Sequence, residues 1–566
     1  MSRLRDFEPL EDVNFAEHDL GLKTILSDLL SSSDREPVFA SLSEWGQKTG
    51  GEWNALASDA GRQENLPRIF KYDRTGAPVE RIDFCAATRQ LRREIAELGV
   101  LTHTRNDLHR FAIIYLLAHN GEASVNCGLS CTDGLIRALE ARGSEFLRDT
   151  YVPLLKSTET PLAGAQFVTE QDGGSDVGAI ETEAIPNSDG SWSLTGEKWF
   201  CSNPDEYFLV AARPRGARPG TAGLGVFMVP RVLLDGRVNA ISFRRLKNKL
   251  GTQSLPTAEI DFNGATGWAI GPVEEGFKTL MNYVINVSRI HNAANACGFL
   301  RRAFLEARNY SRQRETFGRA LITNPVIRET LIGLLEKLWR YRLLTFKTIA
   351  SVDSNGLVPS SSGDAMWQRF LINLGKYRTA VTLTPSIREA ILILGGNGIV
   401  EDFSVLPRLL RDSMIIETWE GPHNTLCLQI LRDAAKSDLI ERWHAEVASG
   451  LEKWPGDFLP ISRSRVSDAF EAFIPMVSAS KLQDHSWTSM HLRRLVDRMA
   501  DLLEIVWMSD LARRTATADS TAAVVTAAAV LSTIGGEFDD ALRARIASHS
   551  IALVDEEPFR ADLEGF

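Results

Sequence analysis

Residues 187–202, NSDGSWSLTGEKWFCS, decide the fold. Asn187, Ser188, Asp189 and Gly190 form a cluster of turn formers. Trp192, Ser193 and Leu194 alternate between apolar and polar, and 195–202 continue in the same β texture. Working outward, 207–212, 225–230 and 258–262 are further short apolar or alternating runs, and Asn263-Gly264 reads as another break. A β domain is therefore expected over 161–273. On the N-terminal side, 94–101 and 111–120 carry apolar residues at helical spacing, interrupted over 121–130. On the C-terminal side the helical period returns. Ile290, Ala293, Ala294, Cys297, Leu300 and Phe304 form one apolar stripe, with Arg301, Arg302 and Arg308 placed mostly off it. Helices are also expected over 326–353, 364–384, 425–434 and 492–512. The fold class is α+β multidomain: helical over 1–160, β over 161–273, helical over 274–437, with an additional C-terminal helical domain over 438–566.

The composition excludes several function classes. The chain has 566 residues, 44% of them apolar and 24% charged, which is ordinary globular usage and neither collagen-like nor disordered. Asp and Glu outnumber Lys and Arg by 73 to 63, giving a net charge of −10, which disfavours a generally basic nucleic-acid binder while leaving room for a local patch. Of the 6 cysteines only Cys127 and Cys131 are close in sequence, and no His cluster accompanies them, so neither a metal site nor a disulfide framework is expected. The first residues include acidic groups and no apolar core, so no secretory leader is expected. No run approaches the roughly 20 apolar residues that span a bilayer. A soluble, cytoplasmic protein without membrane contact is expected.

Three stretches have the composition of a site. In VTEQDGGSDV (168–177), two adjacent glycines between Thr169 and Ser175 permit tight turns that approach a flat or anionic ligand closely, although a plain turn between strands has the same composition. In TGEKWFCS (195–202), Trp199 and Phe200 read either as core aromatics or as a wall against a cofactor ring. In 395–424, Gly395, Gly396 and Gly398 mark a loop, and Glu420 lies in Trp-Glu-Gly-Pro just before an apolar helix. A carboxylate between an indole and a Gly-Pro turn is either a partly desolvated proton acceptor or a helix N-terminal Glu stabilised by the dipole.

The order of these stretches is informative. The TE-x-x-x-GSD stretch, G-x-K-W-F-x-S, RQRETFG (312–318), and LGGNG followed by RD and WEG occur in the order found in acyl-CoA dehydrogenases. Over most of 80–435 the sequence resembles that flavoprotein superfamily. It is most similar to the AidB (adaptive response) branch through EQDGGSDV, RRLKNKLG (244–251), the early FKYDR segment (70–74) and the extended tail. The resemblance implies a middle β-barrel, a C-terminal four-helix bundle, FAD as cofactor and a homotetramer. Carried over by position, Val168, Thr169, Gly174 and Ser175 line the flavin ring and ribityl chain, and Phe200 and Ser202 contact the isoalloxazine. Arg314 and Phe317 fall on the segment that reaches FAD from a neighbouring subunit, with Arg314 pairing the pyrophosphate. Gly396 is carried over as a cofactor contact, and Asn424 lies where a polar side chain meets the adenosine half. Arg289 matches an arginine near the substrate, and Glu420 matches the catalytic base. Two departures stand out: Leu392 replaces a usual Gln, and Pro422 a common Thr.

The implied reaction is oxidation of an acyl-CoA or related acyl thioester to its 2-enoyl form, with Glu420 taking the C2 proton. An AidB-like protein that binds DNA and protects against alkylation, with little dehydrogenase activity, is the alternative. Against strong DNA binding, residues 441–566 hold 2 Lys and 11 Arg against 11 Asp and 9 Glu, a net −7. Arg493, Arg494, Arg498, Arg513 and Arg514 fall on neighbouring helical turns, and read either as a basic patch or as an ion-paired, solvated face. Weak nucleic-acid binding at most is expected.

Overall fold

The structure is a computed structural model that describes residues 7–160, 163–535, 539–564 and 566. The expectation about a leader and the start of the β region fall partly on 1–6 and 161–162, which lie outside the described residues. The chain forms two compact units, each assembled from separated stretches. One comprises Glu52–Thr104 and Asn120–His291, and the other comprises Met1–Gly51, Arg105–His119 and Asn292–Phe566.

The first unit is built on the β domain. Strands β1 (Arg68–Tyr72) and β2 (Pro78–Asp83) pair as an antiparallel hairpin that contains most of the FKYDR segment, so the N-terminal region is not wholly helical. The Asp73 carboxylate closes the hairpin turn by accepting from Thr75 N at 2.7 Å and Ala77 N at 3.0 Å. The main sheet contains β3 (Gly164–Phe167), β4 (Glu183–Pro186), β5 (Trp192–Ser202), β6 (Tyr207–Pro214), β7 (Gly225–Pro230), β8 (Ile241–Leu246) and β9 (Thr257–Ala269). The order β6-β4-β5-β9-β7 closes on itself because β6 also pairs with β7, which makes a barrel with β3 and β8 added at its sides. Closure removes the open edges that a flat sheet would expose.

Strand β6 reads as a near-continuous apolar run because it is covered on both faces. Phe208, Val210 and Ala212 join Phe167, Leu194, Phe227, Phe243 and Ile260 in the barrel core. Leu209 and Ala211 pack against Leu135, Leu139, Leu147 and Tyr151 of the helices Asn126–Arg142 and Glu145–Leu155. The first of these helices starts at Asn126, so the expected interruption over 121–130 is shorter than the sequence suggests, and Cys127 and Cys131 lie one turn apart on it. Asn263-Gly264 is likewise not a break between strands. Strand β9 runs through it, with Gly264 at φ +84° and a register shift opposite Leu194/Thr195: it is a β-bulge.

The second unit is helical. Its long members are Pro325–Asn355, Ser362–Leu394 and His485–Thr515, with Leu406–Thr418, His423–Ala434 and the apolar Thr521–Thr533 packed among them. The helix Asn286–Gln313 carries the expected apolar stripe, but its arginines are not off the core. Arg301 and Arg302 are buried, and Arg308 nearly so. Arg301 pairs with Glu556 at 2.5 Å, Arg308 with Glu556 at 3.1 Å, Arg302 with Glu306 at 2.7 Å, and Arg342 with Asp19. Charge is buried here because each cation meets a carboxylate: Arg302 finds its own one turn along the same helix, whereas Arg301, Arg308 and Arg342 meet partners from distant segments that periodicity cannot reveal. No helix among the described residues is long and apolar enough to cross a membrane.

Burial, with Arg301 beside it, pushes the His119 imidazole down to about 3 from 6.5. A group whose folded pKa is depressed in this way is protonated in the unfolded chain first. Folding stability should therefore fall as pH drops from 6.5 toward 3, with His119 contributing up to about 1.4 kcal/mol per pH unit. Chemical denaturation at stepped pH should show a shallower fall for His119→Gln than for the natural chain.

Candidate active site

In the barrel unit the two Gly-containing motifs meet. The backbone N–H of Trp199 donates to Thr169 O at 2.9 Å, which joins the segment after β3 to β5. Beneath that bond lies Lys198, fully buried, whose Nζ donates to Glu170 Oε1 at 2.6 Å and to Val168 O at 3.1 Å. Glu170 also accepts from Glu181 N at 2.6 Å, Thr182 N at 3.1 Å and Thr182 Oγ1 at 2.5 Å. Burial opposes the charged carboxylate, but the Lys198 ammonium and these donors outweigh it and hold Glu170 below its ordinary range. Burial draws the Lys198 ammonium below its ordinary value, with Glu170 opposing that shift.

Strand β5 carries a bulge at this point. Lys198 pairs with Ile260 and Cys201 with Ala258, so Trp199 and Phe200 together face the single residue Glu259. Without the bulge, alternation would place Phe200 on the inner face with Leu194 and Lys198. With it, Cys201 turns inward, Trp199 is half-buried and Phe200 is 54% exposed. Lys247 Nζ lies 3.4 Å from the centroid of the Trp199 ring and 4.6 Å from that of Phe200. Alongside, Ser202 Oγ bonds Thr257 Oγ1 at 3.0 Å, and Lys249 Nζ donates to the same Thr257 oxygen at 2.8 Å. Val168 and Thr169 are half-buried at the rim, while Gly174 and Ser175 are exposed on the following loop, with open space where a Gly174 side chain would be. An exposed aromatic face bordered by hydroxyl and ammonium donors fits a ring system that is apolar on its faces and polar on its edge, as an isoalloxazine is. Arg289 of the same unit is buried. Its helical neighbours Ser288 and His291 bond Gln166 at 2.9 Å and Asp133 at 3.0 Å.

In the helical unit, Glu420 is half-buried in the turn between helices Leu406–Thr418 and His423–Ala434. It has φ +55° and is followed by Gly421 at φ +106°. A non-glycine residue in this region is strained by roughly 1–3 kcal/mol, and such residues cluster at functional sites. The buried Lys376 Nζ donates to Glu417 O at 3.0 Å and Gly421 O at 2.9 Å. His423 Nε2 donates to the Glu417 carboxylate at 2.9 Å. One turn on, Asn424 Oδ1 accepts from Arg493 Nε at 2.9 Å, so the C-terminal helix His485–Thr515 reaches the side chain expected beside adenosine. Arg314 starts a hairpin whose strands β10 (Glu315–Thr316) and β11 (Arg319–Ala320) are joined by Phe317-Gly318. Both turn residues have positive φ, and Phe317 is fully exposed at the tip. Gly396 is exposed in the Gly395–Ile399 turn, where Asn397 Nδ2 donates to Tyr310 Oη at 3.2 Å.

The structure thus brings Val168, Thr169, Phe200 and Ser202 together in one unit, and Glu420 and Asn424 together in the other. Sequence reasoning did not single out Glu170, Lys198, Lys247 or Lys376. For Lys198 a signal existed: it shares strand parity with Leu194, so a lysine was due on an inward face and required a partner. Of the C-terminal arginines, Arg513 and Arg514 pair with Asp510, Arg514 also with Asp28, and Arg498 donates to Thr533 O. Among the described residues, no group of three His, Cys, Asp or Glu could hold a metal ion.

Comparison with known proteins adds to this geometry. Residues 274–435 match the acyl-CoA dehydrogenase C-terminal domain, 165–265 the acyl-CoA dehydrogenase middle domain, and 6–159 the adaptive response protein AidB N-terminal domain. Acyl-CoA dehydrogenase family member 11 of Caenorhabditis elegans is 33% identical over 432 residues, covering 73% of this chain and 69% of that protein. The putative acyl-CoA dehydrogenase AidB of Escherichia coli (strain K12) is 31% identical over 429 residues, covering 72% and 76%. Among solved structures, Caenorhabditis elegans ACDH-11 in complex with C11-CoA superimposes with a TM-score of 0.83 at 26% identity, over 100% of this chain and 95% of that one. The apo form of Bd2924 gives 0.79 at 28% identity, over 89% and 99%.

Glu170→Gln should destabilise the barrel unit by about 3–5 kcal/mol, because it leaves the Lys198 ammonium buried without a counter-charge. The contribution of the natural carboxylate should be complete above its ordinary value of 4.5 and be lost as pH falls through its lower folded value. Thermal unfolding of both proteins between neutral and acid pH measures the difference, which should narrow as the medium becomes acid.

Proposed function

This chain belongs to the acyl-CoA dehydrogenase family, and from that premise we propose how its own residues carry out the reaction of an FAD-dependent acyl-CoA dehydrogenase-like enzyme. The substrate is an acyl-CoA or related acyl thioester. The observation that carries the reading is Glu420, a carboxylate presented on a left-handed turn at the position where the family places its base. The hydrogens at C2 of a thioester are weakly acidic, and a positioned carboxylate can remove one. When bound, FAD supplies the hydride acceptor that makes proton loss from C2 an oxidation to the 2-enoyl thioester. Phe200, Val168, Thr169 and Ser202 would hold its ring, and Gly174 and Ser175 its ribityl chain. Gly396 and Asn424 would contact the cofactor's remaining length. Asn424 is shared with Arg493, which would orient the amide.

The exposed Phe317 at the hairpin tip supports a homotetramer in which Arg314 and Phe317 serve a neighbouring copy's cofactor. Leu392 and Ile399, apolar and exposed on either side of the Gly395–Gly398 turn, support the same assembly. Arg289, buried near the start of its helix, would lie near the substrate. The functional division follows residues 1–160, 161–273, 274–437 and 438–566, in a cytoplasmic protein.

Glu420→Gln should keep the fold and the yellow colour, since the amide is nearly isosteric. It should slow anaerobic bleaching of the flavin by an acyl-CoA about 10²- to 10⁴-fold. Equal bleaching of the two proteins by the same thioester would remove Glu420 from the reaction.

The AidB-like reading calls for DNA binding. The −7 of residues 441–566 and the pairing of Arg513 and Arg514 with aspartates favour weak attachment. Duplex DNA titrated at stepped salt should therefore bind weakly with a shallow slope of log K against log salt, reporting few phosphate contacts.

A further inference from the structure

The turn that carries Glu420 is tied down at both ends. Lys376 sits within the helix Ser362–Leu394 and is fully buried. Its ammonium donates to two carbonyls that bracket the turn, Glu417 O at 3.0 Å and Gly421 O at 2.9 Å. The Glu417 side chain is held in turn: Thr384 Oγ1 donates to one oxygen and His423 Nε2 to the other at 2.9 Å, so residues 417 and 423 are bridged across the turn. The His423 ring packs edge-on against Tyr377, the helical neighbour of Lys376, with 5.8 Å between centroids. Between these anchors Glu420 and Gly421 both have positive φ, at +55° and +106°. An ammonium that has lost its water must find acceptors, and a strained turn persists only where its surroundings over-determine it. Each requirement is met by the other.

We propose that Lys376, together with the His423–Glu417 bridge, is the positioning device that presets Glu420 in its left-handed turn, so that the carboxylate meets C2 of the thioester already oriented. The proposal rests on the reading of Glu420 as the base. Lys376 touches neither substrate nor cofactor in this role and exchanges no proton with them. It acts through two backbone carbonyls. The gain is in orientation, where misplacing a reacting group by about 1 Å can cost about 10²-fold in rate. A lysine that served only to pack its helix would leave the turn as mobile without it as with it.

The test uses the full-length flavoprotein and two variants. Lys376→Met removes both carbonyl hydrogen bonds and the charge, while Lys376→Gln keeps amide donors on a shorter, neutral stem and serves if the first does not fold. Hydrogen exchange of the backbone amides of 417–424 is followed first, with β6 as internal reference. Exchange in the turn should quicken by about tenfold or more in Lys376→Met, the factor expected when a charged hydrogen bond is lost from a local opening equilibrium. Lys376→Gln should fall in between, and β6 should not change. Anaerobic flavin reduction by a saturating acyl-CoA should slow by about 10²-fold in Lys376→Met, with KM held within about threefold. Exchange over 417–424 equal to the natural protein in both variants would overturn the proposal whatever the activity. Faster exchange with unchanged kcat would overturn its catalytic part. A natural protein reduced by no thioester overturns the base reading of Glu420 instead, and the exchange comparison still decides whether Lys376 holds the turn.

Discussion

An ammonium sealed into the barrel wall organises the segments around Phe200. Lys198 can be buried only because Glu170 meets it at 2.6 Å. Glu170 can be ionised there only because Lys198, Thr182 and the amide of Glu181 all bond it. The two residues come from different motifs, so their pairing fixes the segment after β3 against β5. The Thr169–Trp199 backbone bond follows, and with it the positions of Val168 and Thr169 at the rim. The bulge directly after Lys198 then turns Phe200 outward, half-exposed with the Lys247 ammonium over its ring and Ser202 next in the strand bonded to Thr257. A single buried charge pair thus specifies a surface.

The helical unit uses buried charge in the same way. Arg301, Arg308 and Arg342 run through its interior, answered by Asp19 near one end of the chain and Glu556 near the other. Such pairs add little net stability over apolar packing, but breaking one leaves an expensive charge behind. They therefore tie distant segments to the long helices in one arrangement. The C-terminal helix His485–Thr515 is linked in similarly: Arg378 pairs with Asp497, Asp501 and Glu504, and Arg493 reaches Asn424. Asp501, Glu504 and Glu556 of the tail are thus buried against internal arginines rather than displayed to solvent.

The two groups of candidate residues, each within its own unit, are held by different means. Around Phe200 the positions come from strand pairing, where register is set by the ladder and altered once by a bulge. Around Glu420 they come from a strained turn between two helices, whose carbonyls are gripped by a lysine from a third. A ladder holds a flat surface in place with little cost. A turn can present one carboxylate at an angle that no regular element offers, and it needs external anchors to do so.

What the sequence determined by itself was the order of helical, β and helical regions, the family, and which residues are candidates for the site. Each of these depends on local pattern: turn formers between alternating runs, an apolar stripe at helical spacing, and motifs whose order survives translation into a string of letters. What only the tertiary structure decided was where those residues face and what holds them. Parity along β5 points Phe200 inward, and a bulge set by pairing with β9 points it outward. Asn263-Gly264 looks like the end of a strand and is absorbed within one. Arg301 and Lys376 look like surface charges and are buried, because their partners, Glu556 in one case and the carbonyls of Glu417 and Gly421 in the other, lie far away in the sequence. Burial of a charge is decided by its partner, and a partner brought near by folding is not written beside it in the chain.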